Sequence, residues 1–264
     1  MPSATHLIET IGAAILNGMR RATKFSRLGS RIVAAALRRQ TYNSAVVDIL
    51  FKQIYFTAVQ VLPIYFVLAL ALNSVVVGII VSLARDYGLM GYSTKLVIGF
   101  VGGELIPLFT AILVALRSGS AINSEVSLMR VNRELDALLH CGIDPIAYEF
   151  FPRVVGGIIS LCALTLVGLA LTVAVAFLTI GAGEFSNFEK FSHGIGDALG
   201  FMDLLALELK SAIFGVCVTL IPIASGMETP RRPFAVPISV LRGMMGVFLA
   251  LLLVEIGSLV LKYM

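Results

Sequence analysis

The chain has 264 residues, of which 58% are hydrophobic and 14% charged, and its mean hydropathy is +0.95; an ordinary soluble domain carries roughly a quarter charged residues. So much apolar surface cannot be hidden in one globular core of this length, which excludes a soluble fold and leaves a single membrane-embedded unit as the simplest organisation. The net charge of +4 does not point to a nucleic acid, because the cations lie almost wholly between the apolar runs, where membrane topology puts them.

Residues 1–52 form an Arg-rich arm, too long and basic for a cleaved signal peptide and expected to be retained. Within it Arg20, Lys24, Arg27 and Arg31 recur at helical spacing, while Ile8, Ile11, Ile15, Ile32, Val33 and Leu37 supply apolar surface. That pattern predicts an amphipathic helix in the membrane interface, cations toward lipid phosphates; a solvated basic arm is the plainer alternative. Residues 53–264 form the membrane domain, an all-α unit with five transmembrane helices at about 53–84, 96–116, 154–183, 204–227 and 236–261. Each is long enough for the roughly 20 residues that a helix needs to cross the hydrocarbon core. The second span carries Glu104 as its one charge, the fourth has Glu208 and Lys210 near its start, and the fifth has Arg242 near its start and Glu255 inside.

Five spans put the termini on opposite sides. Lys and Arg crowd the arm, the segment from Arg117 to Arg153 and the Arg231–Arg232–Arg242 region, whereas the other side receives Arg85, Lys95, Lys190 and Lys262. The positive-inside rule therefore makes the N-terminus cytoplasmic and the C-terminus and the segment from Glu184 to Asp203 face the opposite compartment. Cys141, Cys162 and Cys217 are odd in number, far apart and without ligand spacing, so neither a disulfide framework nor a metal site is expected. His6, His140 and His193 form no cluster in the sequence either.

The loop after the second span, Arg117 to Arg153, is the most informative segment. Asn123 or Ser124 can cap a helix, and Leu128, Val131, Leu135, Leu138 and Leu139 recur at three- and four-residue steps, which predicts an amphipathic helix of about five turns, too polar to span. Gly142 suits the left-handed position that ends it, and Asp144 with Pro145 suits the cap and first residue of the next helix. Such a helix can offer its apolar face to a groove in a soluble motor protein, with Arg130, Arg133, Glu134 and Asp136 at the rim. Packing on its own bundle is the competing expectation.

The order of residues from Glu104 to Arg153 resembles the MlaE-type permease family of MCE-associated ABC transporters. Glu104, Leu105 and Pro107 match an E-L-x-P element in a span; Ala121, Glu125, Met129 and Arg130 match the A-x-x-x-E-x-x-x-M-R that follows. Glu134, Asp136, Ala137 and Leu138, then Gly142, Ile143, Asp144 and Pro145, and finally Pro152 and Arg153 complete the series. Met202 to Leu204, with Lys210 and Ser211, is also similar to the family. One stretch departs from it: where members are rich in Gly and Thr between the last two spans, this chain has METPRRPFAVPISV from Met227 to Val240.

The resemblance implies a permease dimer in a bacterial inner membrane, joined to two cytoplasmic ATPase subunits and to an MCE-domain lipid carrier on the periplasmic side. It would move phospholipids or related lipids between the membranes and so bear on outer-membrane lipid asymmetry. It also implies that the helix around Glu125 to Leu139 couples to the ATPase, with Glu125, Met129, Arg130, Glu134, Leu135, Asp136, Leu138, Gly142, Asp144 and Pro145 as coupling residues. Glu104, Leu105 and Pro107 would belong to the lipid pathway. The sequence holds no G-x-x-x-x-G-K-[ST] loop, so no cofactor is expected on this chain, and Mg-ATP would be bound by the partner subunits alone.

Glu104 has two readings. A carboxylate inside a span costs about 2.5 kcal/mol or more and faces either a polar cavity or a partner; here it either lines a lipid cavity or forms a structural hydrogen bond, with Lys210 as a candidate. Glu255 has the same two readings. Pro63 and Pro107 are expected to kink their helices, and Gly102 and Gly103 to let helices approach closely. A proton- or cation-coupled secondary transporter using Glu104 and Glu255 is the alternative function, and a membrane enzyme acting on lipids is a third.

Overall fold

The computed structural model describes residues 27–36, 43–180, 194–196 and 198–263. After a helical stretch at 27–36 (α1) come α2 (Ser44–Asp86), α3 (Met90–Val131), the two-turn α4 (Glu134–His140), α5 (Ile146–Ile180), α6 (Phe201–Met227) and α7 (Ala235–Tyr263). Five of these, α2, α3, α5, α6 and α7, are long and apolar enough to cross a membrane, as their composition demands. α6 packs on α5, α7 and α3, and α2 packs on α5. α3 is the most enclosed of the five, while α2 and α7 leave most of their surface outward.

The long helices are not uniformly wound, and proline explains most of the irregularity. π-helical turns occupy Tyr55–Val59, Val97–Leu105 and Ile146–Phe150. Each directly precedes or includes the residue four before a proline: Pro63, Pro107 and Pro152. A proline ring collides with the carbonyl four residues back and offers that carbonyl no N–H. Widening the preceding turn by one residue relieves the collision without breaking the helix. The Gln60 N–H donating to the Tyr55 carbonyl at 2.9 Å is such a widened bond. A fourth wide turn, Ala115–Gly119, has no such proline after it.

Close helix crossings rest on glycine. A Cβ on Gly157 of α5 would stand 2.2 Å from Thr219 of α6, and one on Gly215 of α6 would stand 2.7 Å from the Ile158 backbone of α5, a reciprocal contact that any larger residue would push apart. Gly102 lets Leu169 of α5 approach, its own Cβ position lying 2.7 Å from that side chain. Gly103 receives a lysine end rather than a helix: the nearest atom is Lys262 Nζ at 3.5 Å.

The helices differ from expectation in three places. The helix that holds the first span starts at Ser44 and not near residue 53, so the last part of the arm is one piece with it. The helix that holds the second span does not stop near 116: α3 runs unbroken to Val131, and at about 1.5 Å per residue its 42 residues reach about 63 Å, twice the hydrocarbon thickness, so the helix extends well beyond the membrane. The five-turn loop helix is therefore absent. Neither Asn123 nor Ser124 starts a helix, and the break falls at Asn132 and Arg133, where Arg133 takes the left-handed φ of 60°. Gly142 at φ 76° ends α4, and the Ile146 N–H donates to Asp144 Oδ1 at 3.1 Å where the next helix begins.

Among the described residues the buried core falls into three clusters. The middle one gathers Tyr65, Ala111, Leu161, Phe214 and Leu251. At the end that carries α4, Leu28, Ile32 and Ala35 of α1 join Ile122, Leu135, Phe150 and Ile223; at the opposite end Val77, Val97, Ile106 and Val175 meet. α1 thus turns its apolar face onto the bundle and leaves Arg27 and Arg31 exposed. The rest of the arm expected in the membrane interface, Arg20 and Lys24 included, and most of the segment from Glu184 to Asp203 lie outside the described residues.

Candidate functional site: a charged cluster and its cavity

α3, α6 and α7 bring four charges together within the membrane-spanning part of the bundle. Lys210 Nζ donates to Glu104 Oε2 at 2.5 Å and lies 2.8 Å from Glu255 Oε2; Lys262 Nζ donates to Glu104 Oε1 at 2.7 Å. The order is Glu255, Lys210, Glu104, Lys262, alternating in sign and neutral as a whole. Lys210 also stands 5.8 Å from the Phe214 ring, one turn on. Both Glu104 oxygens are held by ammonium groups, so the desolvation of a buried carboxylate is offset by direct charge pairing. Lys210, the partner that the sequence offered for Glu104, is one of the two that the structure uses.

One wall of this cluster opens into a cavity of about 950 Å³ bounded by α3, α6, α7, Leu169 of α5 and the residues before α6. Its lining is chemically two-sided. Phe100, Leu169, Leu209, Ile213 and Leu261 make an apolar wall, and Lys95, Glu104, Asp203, Lys210 and Lys262 supply charge. Asp203 is already engaged, accepting the Gly200 N–H at 3.0 Å at the start of α6. Of the three residues expected along a lipid pathway, Glu104 lines the cavity, whereas Leu105 packs at the edge of a core cluster and Pro107 is buried.

The opposite end of the same three helices is tied by a second polar group, which holds no charge. Asn123 and Ser127 of α3, Ser225 of α6, Thr229 just after α6 and Ser239 of α7 interlock: Asn123 Nδ2 donates to the Ser239 carbonyl (3.3 Å), Ser239 Oγ to Asn123 Oδ1 (3.2 Å), Ser225 Oγ to the Ser239 carbonyl (3.0 Å), and Thr229 Oγ1 to Ser239 Oγ (2.8 Å). Asn123 and Ser127 are fully buried. Gly243 makes room, since a Cβ there would stand 2.0 Å from Asn123 Nδ2. Along α3 this knot lies 19 residues, or about 28 Å, from Glu104. Sequence reasoning missed it, because hydroxyl residues spread over 116 positions carry no spacing signal.

Beside the knot sits the surface expected to couple. Asp136 of α4 is held by Arg130 of α3 at 3.4 Å and by Arg231, before α7, at 2.5 Å, so the atypical proline- and arginine-bearing segment clamps α4. Arg153 binds Glu125 at 2.7 Å and also pairs with Glu149. The expected leucine stripe does not face one way. Leu135 points inward and is 6% exposed, Met129 and Leu138 are half-buried, and Leu128 and Leu139 are 46% and 59% exposed. Glu134, Gly142 and Asp144 are exposed, and Pro145 is buried. The break at Arg133 rotates α4 against α3, which is why one sequence stripe becomes two faces.

Comparison with known proteins agrees with this architecture. A probable ABC transporter permease protein of Rickettsia felis is 25% identical over 227 residues, 84% of each chain. A probable ABC transporter permease protein of Synechocystis is 33% identical over 159 residues, 56% of this chain and 58% of its own. The intermembrane phospholipid transport system permease protein MlaE of Haemophilus influenzae is 27% identical over 195 residues, 68% of this chain and 69% of the relative. The family model described as Permease MlaE matches residues 50–261, from within α2 through nearly all of α7, and on that extent the chain belongs to the MlaE permease family.

Proposed function

We propose that this chain, an ABC transporter permease by family, moves phospholipids or related lipids between the inner and outer membranes, with ATP hydrolysed on separate subunits. The observation that carries the reading is the two-sided cavity. A hydrocarbon-lined space of about 950 Å³ with ammonium and carboxylate groups at one side matches an amphiphile, whose tails need apolar surface and whose headgroup needs charge. The Haemophilus relative is named for intermembrane phospholipid transport, which favours the same cargo.

The remaining parts follow from the two polar ties. α4 and the exposed Leu128 and Leu139 face the cytoplasm, the side that the distribution of arginines favours, and offer a grip to an ATPase dimer. Because α3, α6 and α7 are bonded to one another at both ends, a push on α4 through Asp136 is passed along them and shifts them against α5, whose Leu169 forms part of the cavity wall about 28 Å away. A second copy of the chain completes the permease, and an MCE-domain protein receives the lipid on the periplasmic side. A proton- or cation-coupled carrier would need a carboxylate that exchanges its partner for the ion, yet Glu104 and Glu255 both pair with Lys210.

The test is reconstitution of the chain with its ATPase and MCE partners in liposomes carrying fluorescent phospholipid. Transfer to the MCE acceptor that requires ATP and is lost in Lys210→Met supports the proposal. Transfer driven by a proton gradient without ATP, or an assembled complex that moves no lipid, overturns it.

A further inference from the structure

The alternating cluster ends differently on its two sides. The Glu255, Lys210 and Glu104 side chains are 12%, 6% and 6% exposed, whereas that of Lys262 is 39% exposed. Of the two cluster cations, both on the cavity lining, Lys262 is thus the more exposed. It arrives from the last turn of α7, and its Nζ donates to Glu104 Oε1 at 2.7 Å and to the Gly99 carbonyl at 3.3 Å. The Gly99 carbonyl is a neutral acceptor at long range, and an ionised phosphate oxygen makes a shorter and roughly twice as strong bond to an ammonium group. Lys95 lies four residues, about one helical turn, before Gly99 on α3, exposed and on the same cavity lining, which adds a second ammonium group to that wall.

Charge balance limits what Lys262 can do. Glu255, Lys210 and Glu104 without it carry a net charge of one negative unit, so Lys262 cannot leave Glu104 without exposing an uncompensated carboxylate in the membrane. It can, however, exchange the Gly99 carbonyl for an incoming anion and keep Glu104. Phe100, Leu209 and Leu261 continue the wall beyond the two lysines, so the anion must carry hydrocarbon to use the whole site.

We infer that Lys262, assisted by Lys95, seats the phosphate of a lipid headgroup, with the acyl chains along the apolar wall. The inference rests on the proposed lipid pathway and assigns its headgroup end. Lys262 then reports loading to the cluster: a bound phosphate draws on the ammonium that also holds Glu104, and weakens the tie between α7 and α3 when the cavity is full.

The full-length chain, purified in a neutral maltoside detergent, is titrated with phosphatidylglycerol and with diacylglycerol of the same acyl chains, with inorganic phosphate as competitor. Wild-type protein is expected to prefer phosphatidylglycerol by about tenfold or more. Lys262→Met should abolish that preference while diacylglycerol binding persists, showing an intact cavity; Lys262→Arg should keep it, and Lys95→Met should reduce it. Equal binding of the two lipids by wild type, or an undiminished preference in Lys262→Met, overturns the phosphate seat while leaving the lipid pathway standing. Displacement of phosphatidylglycerol by inorganic phosphate alone would make the seat one for free phosphate and overturn its assignment to a lipid. Failure to bind either lipid sinks the lipid pathway and the seat with it.

Discussion

Replacing Lys210 by methionine removes the central cation of the cluster and keeps much of the side-chain volume. Glu104 retains Lys262, but Glu255 loses the ammonium 2.8 Å away, and the cluster changes from neutral to one net negative charge in a site where Lys210 and Glu104 are each 6% exposed. Breaking a buried pair by removing one partner costs about 3–5 kcal/mol. Glu104→Gln keeps the shape and an oxygen for one lysine, so it should cost less, about 1–3 kcal/mol. The double variant leaves Lys262 and Glu255, again neutral. Its cost should fall short of the sum of the singles by about 1–3 kcal/mol. Unfolding of the purified chain by SDS in mixed micelles measures all three. Costs that add to within about 0.5 kcal/mol would refute the claim that these side chains act as one electrostatic unit.

Other outcomes follow from α4 and the knot. Leu135→Asp should lower stability by about 3 kcal/mol or more in the same unfolding assay, because it puts a charge into a packed cluster, whereas Leu139→Asp should leave stability unchanged and reduce pull-down of the ATPase; equal stability of the two variants would contradict the inward turn of Leu135. Gly243→Ala forces a methyl onto the Asn123 amide and should cost about 1–3 kcal/mol, with ATP hydrolysis in the complex less dependent on lipid; a silent substitution would show that the knot does not hold the helices. Exposed Cys141 should react with a membrane-impermeant maleimide only after the inner membrane is opened, while Cys162 and Cys217, half-buried in spans, stay slow throughout. Labelling of Cys141 from the periplasmic side would invert the topology.

The five spans were legible in the sequence because apolar length is a local property: uninterrupted runs such as that between Lys52 and Arg85 have no solution in water other than a membrane. Gly142 and the Asp144–Pro145 start were equally readable, since left-handed geometry and a missing N–H belong to the residues themselves. Glu104 announced itself as costly, and Lys210 was a fair guess for its partner. Lys262 was not. At the end of an apolar run a lysine reads as a terminal anchor, and nothing local says that α7 ends beside Gly99 and Gly103.

The direction each side chain faces was the other matter that only packing decided. Leu128, Val131, Leu135, Leu138 and Leu139 keep helical spacing on paper, but a single left-handed residue, Arg133, redirects everything after it, and one dihedral angle is invisible to periodicity. Apolar length and proline placement thus fixed how many helices cross and where their turns widen. Which charges meet, and whether they face one another or a cavity, depended on helices distant in the chain, because pairing energy falls with separation in space and not along the sequence.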